Sequence, residues 1–183
     1  MSAIAAISNE KRQAIAAINA SKIWSRSELS DWDRIADHMD SFHNHFRQTF
    51  EHVYRHAEDY RMLGLSLNSF LAQAMSLYTH LNMHHSIEER FIFPHLSQRM
   101  PQFAHGEQHT REHQEMHKGL ERYSAYIKTA QQTPSKYDGS ELRAIMSELG
   151  SVLMPHMDAE VTSLKGASLR QYWAFDELKS FPM

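Results

Sequence analysis

The chain of 183 residues contains no cysteine, which excludes a disulfide framework, a thiolate nucleophile and any metal site built on cysteine. No apolar run approaches the roughly 20 residues that a membrane-spanning helix requires. No long block of like charges occurs, and 19 Lys and Arg stand against 22 Asp and Glu, so the basic footprint of a nucleic-acid-binding protein is missing. We therefore expect neither nucleic acid nor membrane as a partner, and any metal ligands must be imidazole or carboxylate groups.

The N-terminus is not typical of an exported protein. An apolar AIAAI run at residues 3–7 has no basic region before it and is followed directly by polar and charged residues. We therefore expect a cytoplasmic protein, with which the absence of cysteine is consistent.

Glycine and proline are scarce, at 6 and 5 residues, and the long segments between them carry apolar residues at three- and four-residue spacing. This pattern predicts an all-α protein with four long helices. The predicted helices run from after Ser30 to about residue 59, from about 66 to a kink or end at Pro94, from about 102 to 131, and from about 140 to a terminal Gly166, with a kink at Pro155. Short connections place consecutive helices antiparallel, so we expect an up-down-up-down four-helix bundle.

The chain divides into three predicted segments: an N-terminal helical arm over residues 1–30, the bundle over 31–166, and a tail over 167–183. The AIAAI run recurs at residues 14–18, which favours one extra amphipathic helix that docks on the bundle. The tail carries Trp173, Phe175 and Phe181, and we expect these aromatic side chains to cover an end or a side of the bundle.

The histidines, 14 in all, are the most informative residues. Three predicted helices each carry a pair of potential ligands four residues apart, so both members project from one face on successive turns. These pairs are His84 with Glu88, His113 with His117, and His156 with Glu160. Facing helices of a bundle are where metal sites of imidazole and carboxylate are built, and this ligand mix suits iron among other divalent metals.

The first predicted bundle helix supplies a further candidate ligand. Of its histidines, His43 lies nearest to the apolar stripe formed by Ile35, Met39, Phe42, Phe46, Phe50 and Val53, whereas His38, His45 and His52 share a solvated flank. On the second helix, the stripe favours Glu88 over Glu89. Both His84 and His85 are geometrically possible there, and the four-residue spacing to Glu88 favours His84.

Four motifs in this order resemble the hemerythrin-like proteins, the HHE cation-binding group. They are His43-Asn44, HHSIEE at 84–89 followed by Phe93-Pro94, EHQEMH at 112–117, and HMDAE at 156–160, and the resemblance covers about residues 31–165. It implies a non-haem di-iron centre of five histidines and two bridging carboxylates, with iron cycling between Fe²⁺ and Fe³⁺ and one coordination position open to O₂.

Carried onto this chain, the resemblance implies that His113, His117 and His156 bind one iron, that His43 and His84 bind the other, and that Glu88 and Glu160 bridge them. The chain departs from the oxygen carriers of the family at Glu160, which lies four residues after His156 where the carriers have an aspartate five residues after. It also carries surplus histidines at positions 80, 105 and 109, and we expect His105 and His109 to face solvent.

Three functions fit such a centre. The first is O₂ binding in a dry apolar pocket, which Phe42, Phe46, Leu81 and Phe91 could line. The second is a di-iron oxygenase or oxidase that uses O₂ or peroxide to oxidise a small organic substrate, and the third is an iron or oxygen sensor or storage module. We favour O₂ binding. The sequence leaves open whether the chain is an enzyme, and it names no protein partner.

Overall fold

The computed structural model of the protein describes residues 8–181, and within that range it contains helices and connecting turns but no strand. The α-helices are α1 (Asn9–Ser21), α2 (Arg26–His56), α3 (Leu67–Ile87), α4 (Phe93–Leu96), α5 (Gln108–Gln132), α6 (Gly139–Leu164) and α7 (Gly166–Leu169). The predicted all-α class is confirmed. No helix among the described residues combines the length and apolar character needed to cross a membrane. The first AIAAI run, at residues 3–7, lies outside the described range.

Helix α2 begins at Arg26, several residues before the predicted start, because Ser25 and Glu28 form a reciprocal cap. The Glu28 backbone N–H donates to Ser25 Oγ at 3.2 Å, and the Ser25 backbone N–H donates to Glu28 Oε2 at 2.8 Å. Two N–H groups that would otherwise lack partners at the helix terminus are thereby satisfied. The predicted start after Ser30 was therefore wrong.

The helical backbone that begins with α3 does not stop at Pro94, because it forms a wider helical turn before the proline. A π-helical turn, Glu88–Ile92, connects α3 directly to α4, and the Phe93 backbone N–H donates to the Glu88 carbonyl five residues earlier. Proline lacks an N–H group, and its ring clashes with the carbonyl four residues earlier in a regular α-helix. The wider turn lets the helix continue past Pro94 to Leu96.

Helix α5 begins at Gln108, six residues after its predicted start, since a 3₁₀ turn, Pro101–Phe103, and Gly106 precede it. Gly106 adopts a φ of 80°, a left-handed conformation that glycine tolerates without a steric penalty. Helix α6 runs through Pro155 to Leu164, and the Asp138 carboxylate caps its start by accepting from the Ser140 backbone N–H at 2.8 Å.

The chain divides into two compact units. Of the described residues, the first comprises 8–41, 87–111 and 157–181, and the second comprises 42–86 and 112–156. The long helices α2, α5 and α6 each contribute residues to both.

The first unit has a core rich in aromatic side chains from three stretches of chain, 32–39, 92–103 and 164–181. Its buried members include Trp32, Ile35, Met39, Phe93, Leu96, Met100, Phe103, Leu164, Leu169, Trp173, Leu178 and Phe181. Gly166 is required here by close approach, because a Cβ atom at this position would lie 2.6 Å from Trp32 Cβ. Its backbone N–H donates to Asp33 Oδ1 at 2.8 Å, so Gly166 joins α7 to the start of α2 rather than ending α6 in a left-handed conformation.

Polar contacts fix α1 and the C-terminal segment within the first unit. Asn19 Nδ2 donates to the carbonyl oxygens of Arg170 and Trp173, at 2.7 and 2.9 Å. Arg99 donates to both carboxylate oxygens of Glu177, at 2.8 and 2.6 Å, and its guanidinium lies 4.1 Å from the centre of the Trp173 ring. A bidentate ion pair of this kind fixes the relative orientation of the two side chains as well as their distance.

The second unit is built from the facing stripes of its four helical segments. Buried side chains from these segments include Phe46, Phe50, Val53, Phe70, Leu77, Leu81, Met116, Leu120, Ile127, Leu142, Met146 and Leu153. Tyr123 is fully buried in the same unit, where its hydroxyl donates to the Ala74 carbonyl at 2.9 Å. This unit also holds all five histidines predicted as ligands.

Candidate metal centre

His43 on α2 and His84 on α3 meet within the second unit. Their Nε2 atoms lie 3.3 Å apart, and their ring centroids are 5.3 Å apart. His43 is buried and His84 is partly buried. Phe46 contacts the pair from α2, with its ring centroid 5.0 Å from that of His84. The structure therefore brings together the two histidines that the sequence selected from these two helices.

A second group of imidazoles lies in the same unit, where His85, His113 and His156 are all buried. Each offers a ring nitrogen, and these nitrogens lie within 4.8 Å of one another. The Nε2 atoms of His113 and His156 are 3.2 Å apart, and the His85 ring centroid lies 4.3 Å from that of His113. His117, which is less buried, has its ring centroid 6.0 Å from that of His85.

The spacing of these nitrogens suits a shared metal ion. Imidazole nitrogens bind a transition metal at about 2.1 Å, so two of them at a tetrahedral or octahedral angle are about 3.0–3.4 Å apart. The His43–His84 and His113–His156 separations, 3.3 and 3.2 Å, both lie within this range. Two pairs of imidazoles, each pair from different helices, thus have the spacing of metal ligands.

The electrostatics of His85 agree with a ligand role. Burial lowers the pKa of His85 well below its usual value, and the neighbouring His113 and His156 lower it further. The ring is therefore neutral at physiological pH, and a neutral imidazole keeps the lone pair that a metal requires. Its Nδ1 atom is buried without a hydrogen-bond partner among the described residues, a costly arrangement that coordination of an ion would relieve.

Glu112 orients one of these histidines. Its Oε2 atom accepts a hydrogen bond of 2.8 Å from Nδ1 of His156, while Nε2 of the same ring lies next to His113. Because a carboxylate only accepts, the proton resides on Nδ1 and the lone pair of His156 on Nε2. Ligating histidines commonly have such a carboxylate partner, which fixes the tautomer and strengthens the ligand.

The first unit holds two buried acidic groups, Glu88 and Glu160, both at most 1% exposed. Burial raises the pKa of Glu88 well above its usual value, and the carboxylates of Glu160 and Glu89 raise it further. Along the chain, Glu88 lies one turn after His84, and Glu160 lies one turn after His156 within α6. Two adjacent carboxylates in a dry interior are a costly arrangement that a multivalent cation would offset.

Two sequence expectations about neighbouring residues were wrong. His109 was expected to face solvent but is buried, with Nε2 3.0 Å from Ser163 Oγ, whereas His105 is exposed as expected. Phe42 and Phe91 were candidates to line a dry pocket but are 47% and 53% exposed. Phe46 and Leu81, the other two candidates, are buried.

Sequence reasoning ranked His85 below His84 and missed Glu112. His85 carries a usable signal, since it lies three residues before Glu88, a spacing that also places two side chains on one helix face. Glu112 offers no such signal, because its partner His156 is 44 residues away on another helix.

Comparison with protein-family models finds a match over most of the chain. The family model described as the hemerythrin HHE cation binding domain matches residues 34–166, a stretch that includes every predicted ligand. No curated protein and no solved structure matches the chain. The match covers well over half of the 183 residues. The chain therefore belongs to the hemerythrin HHE cation-binding family.

Proposed function

We propose that this protein is a non-haem di-iron protein that binds O₂ at an open iron position. The observation that carries the proposal is the set of buried imidazoles grouped at ligand spacing, His43 with His84 and His113 with His156. Iron in such a centre supplies a change between Fe²⁺ and Fe³⁺ and a coordination position for O₂. Iron binding is typical of the family to which the chain belongs.

The scaffold we propose is an antiparallel up-down-up-down bundle of α2, α3, α5 and α6. The connections from α2 to α3, residues 57–66, and from α5 to α6, residues 133–138, are short, and short connections favour antiparallel neighbours. In this arrangement the predicted arm over residues 1–30, which the early start of α2 at Arg26 shortens, and the tail over 167–183 are additions to the bundle.

We assign His113, His117 and His156 to one iron and His43 and His84 to the other, with Glu88 and Glu160 as bridging ligands. The positions of the two carboxylates, one helical turn after His84 and His156, support this role. His85 lies against His113 and His156, so we add it to the first set. Neutral imidazoles and two carboxylates balance much of the charge of two divalent ions in a dry interior.

We place the open position at the ion held by His43 and His84, because this ion has the fewest histidine ligands. The buried Phe46 ring lies beside His84, and such an apolar neighbour excludes water. A dry pocket favours reversible O₂ binding, since water and protons promote the release of reduced oxygen species.

The experiment is to load the protein anaerobically with Fe²⁺, expose it to air and follow its visible spectrum. We expect an absorption band that appears with O₂ and bleaches when O₂ is removed. His84→Ala should lose this band while retaining iron at the other position, whereas His45→Ala, an exposed change on α2, should keep it. Iron-loaded protein with no O₂-dependent spectrum would contradict the proposal. A band that forms and then decays irreversibly would contradict reversible binding and favour an oxidase acting on an organic substrate.

A further inference from the structure

Helix α2 carries a second pair of histidines near its C-terminal end, away from the residues assigned above. His52 and His56 are one helical turn apart, and their ring centroids are 5.2 Å apart with the ring planes inclined at 55°. His52 is exposed and His56 is partly exposed. Side chains at this spacing project from one helix face toward a common point.

The tautomer of His56 is set by an acidic neighbour. Nδ1 of His56 lies 2.9 Å from Oδ1 of Asp59, which is beyond the end of α2. An ionised carboxylate only accepts, so Nδ1 carries the proton and Nε2 keeps its lone pair. This contact also strengthens the imidazole as a donor to a metal.

The tautomer of His52 is set by a residue on α3. Nε2 of His52 lies 3.1 Å from Oε1 of Gln73, an amide oxygen that accepts. Nε2 therefore carries the proton of His52, and Nδ1 keeps the lone pair. Each of the two rings is thus held by a hydrogen bond through one nitrogen and has the other nitrogen available for coordination.

The separation of the two rings suits a single ion. With metal–nitrogen bonds of about 2.1 Å at a tetrahedral angle, the centroids of two imidazoles on one ion are about 5 Å apart. The observed 5.2 Å agrees with this distance. The nearest cation along the helix, Arg55, already pairs with Glu51 at 2.5 Å. Repulsion between a bound ion and this guanidinium is therefore reduced.

We propose that His52 and His56 form a surface site for a borderline divalent transition metal ion, Cu²⁺ or Zn²⁺, separate from the buried centre. Two imidazoles leave the remaining coordination positions to water. Such a site follows the usual affinity order of nitrogen ligands, in which Cu²⁺ binds more tightly than Zn²⁺ and both bind more tightly than Fe²⁺. The surface pair therefore discriminates against the metal proposed for the interior.

The test uses the full chain with its buried centre loaded with iron beforehand. Equilibrium dialysis against Zn²⁺ near pH 7.5 should show one more bound Zn²⁺ in the wild type than in His52→Gln or His56→Gln, with the same iron content in all three. His38→Gln, a change at an exposed histidine of the same helix, should bind as much Zn²⁺ as the wild type. Equal Zn²⁺ stoichiometry in the wild type and His56→Gln would overturn the proposal.

Two further measurements locate the ion. Substoichiometric Cu²⁺ should selectively broaden the ring proton resonances of His52 and His56 in the NMR spectrum and leave those of His38 sharp. Asp59→Asn should weaken Zn²⁺ binding by about 10- to 100-fold, because the amide no longer acts as a charged acceptor for His56. Broadening confined to other histidines would overturn the assignment.

Discussion

The Glu112 carboxylate holds His156 by its Nδ1 atom, with a distance of 2.8 Å, while the opposite nitrogen of the same ring lies 3.2 Å from Nε2 of His113. One residue thus determines which nitrogen of a buried histidine is available to a metal. The two helices that carry this pair, α5 and α6, are thereby connected at the candidate centre through a polar contact.

The first prediction concerns this contact. Glu112→Gln removes the negative charge that stabilises the Nδ1 proton of His156, so we expect metal affinity to fall by about 10- to 100-fold while the fold is retained. Competition with a chelator, followed by metal analysis, measures the change. Glu115→Gln is the matched control on the same helix, because Glu115 is an exposed residue paired with Lys118. Equal affinities in the two variants would argue against an orienting role.

The second prediction tests the ligand assignment by metal content. His113→Ala and Glu88→Ala each remove a buried side chain that we assign as a ligand, and we expect iron to fall well below two per chain in both. His45→Ala removes an exposed imidazole and should leave the iron content unchanged. Metal analysis of purified, reconstituted protein measures this. Full iron retention in both ligand variants would overturn the assignment.

The third prediction separates the neighbouring residues His84 and His85. His84 lies against His43, and His85 lies against His113. In the assignment that we propose, each of these two histidines therefore binds a different ion. We therefore expect both His84→Ala and His85→Ala to lose iron, whereas the exposed neighbour Ser86→Ala should lose none. Metal analysis of the three variants measures this. If only one of His84 and His85 were a ligand, only the variant of that histidine would lose iron.

The fourth prediction concerns His95, whose ring stacks on Trp173 with centroids 4.9 Å apart and planes inclined at 14°. Burial lowers the pKa of His95, the Arg99 cation lowers it further, and Glu177 acts in the opposite direction. Because the unfolded chain binds the proton more readily, the folded state loses stability as the pH falls below about 6.5.

His95→Phe keeps an aromatic ring at this position but cannot titrate. We expect the free energy of unfolding of this variant to fall less between pH 7.5 and pH 5 than that of the wild type. Denaturant unfolding at both pH values measures the difference. An identical pH dependence in the two proteins would show that His95 does not contribute.

The fifth prediction concerns Gly166. A Cβ atom at this position would lie 2.6 Å from Trp32 Cβ, so Gly166→Ala forces the α7 backbone away from a buried indole. We expect a loss of about 1–3 kcal/mol in the free energy of unfolding. Ala167→Ser, at the exposed neighbouring position, is the control and should change stability little. Thermal unfolding measures the stability of both variants. Equal stability of the two would contradict the close-approach argument.

The helical class and much of the apolar pattern could be predicted because periodicity reports directly on which face of a helix is buried. Helix ends were less predictable, since they depend on individual caps. The Ser25–Glu28 spacing is a capping signal that the sequence does contain, and it explains the early start of α2. The π-helical turn at Glu88–Ile92 has no comparable signal other than Pro94, which follows it.

The candidate site was predictable within helices and less so between them. The four-residue spacings selected His113 and Glu88 as candidates, because both members of a pair lie close together in the sequence, and the structure buries both side chains. The preference for His84 assumed one inward-facing position, but adjacent residues of a helix point about 100° apart and can face two neighbouring helices. His84 meets α2 while His85 meets α5 and α6, which is why both are placed against other histidines.

The π-helical turn also changes the phase of the helical repeat along the chain. It accommodates one more residue than a regular turn, so the residues before Glu88 and those after Ile92 follow α-helical repeats that are out of phase with each other. Deleting a single residue between these positions would restore one repeat throughout and rotate everything downstream by about 100°. Phe93 and Leu96 would then leave the apolar core that they occupy, so the length of this short stretch is constrained even where its side chains are exposed.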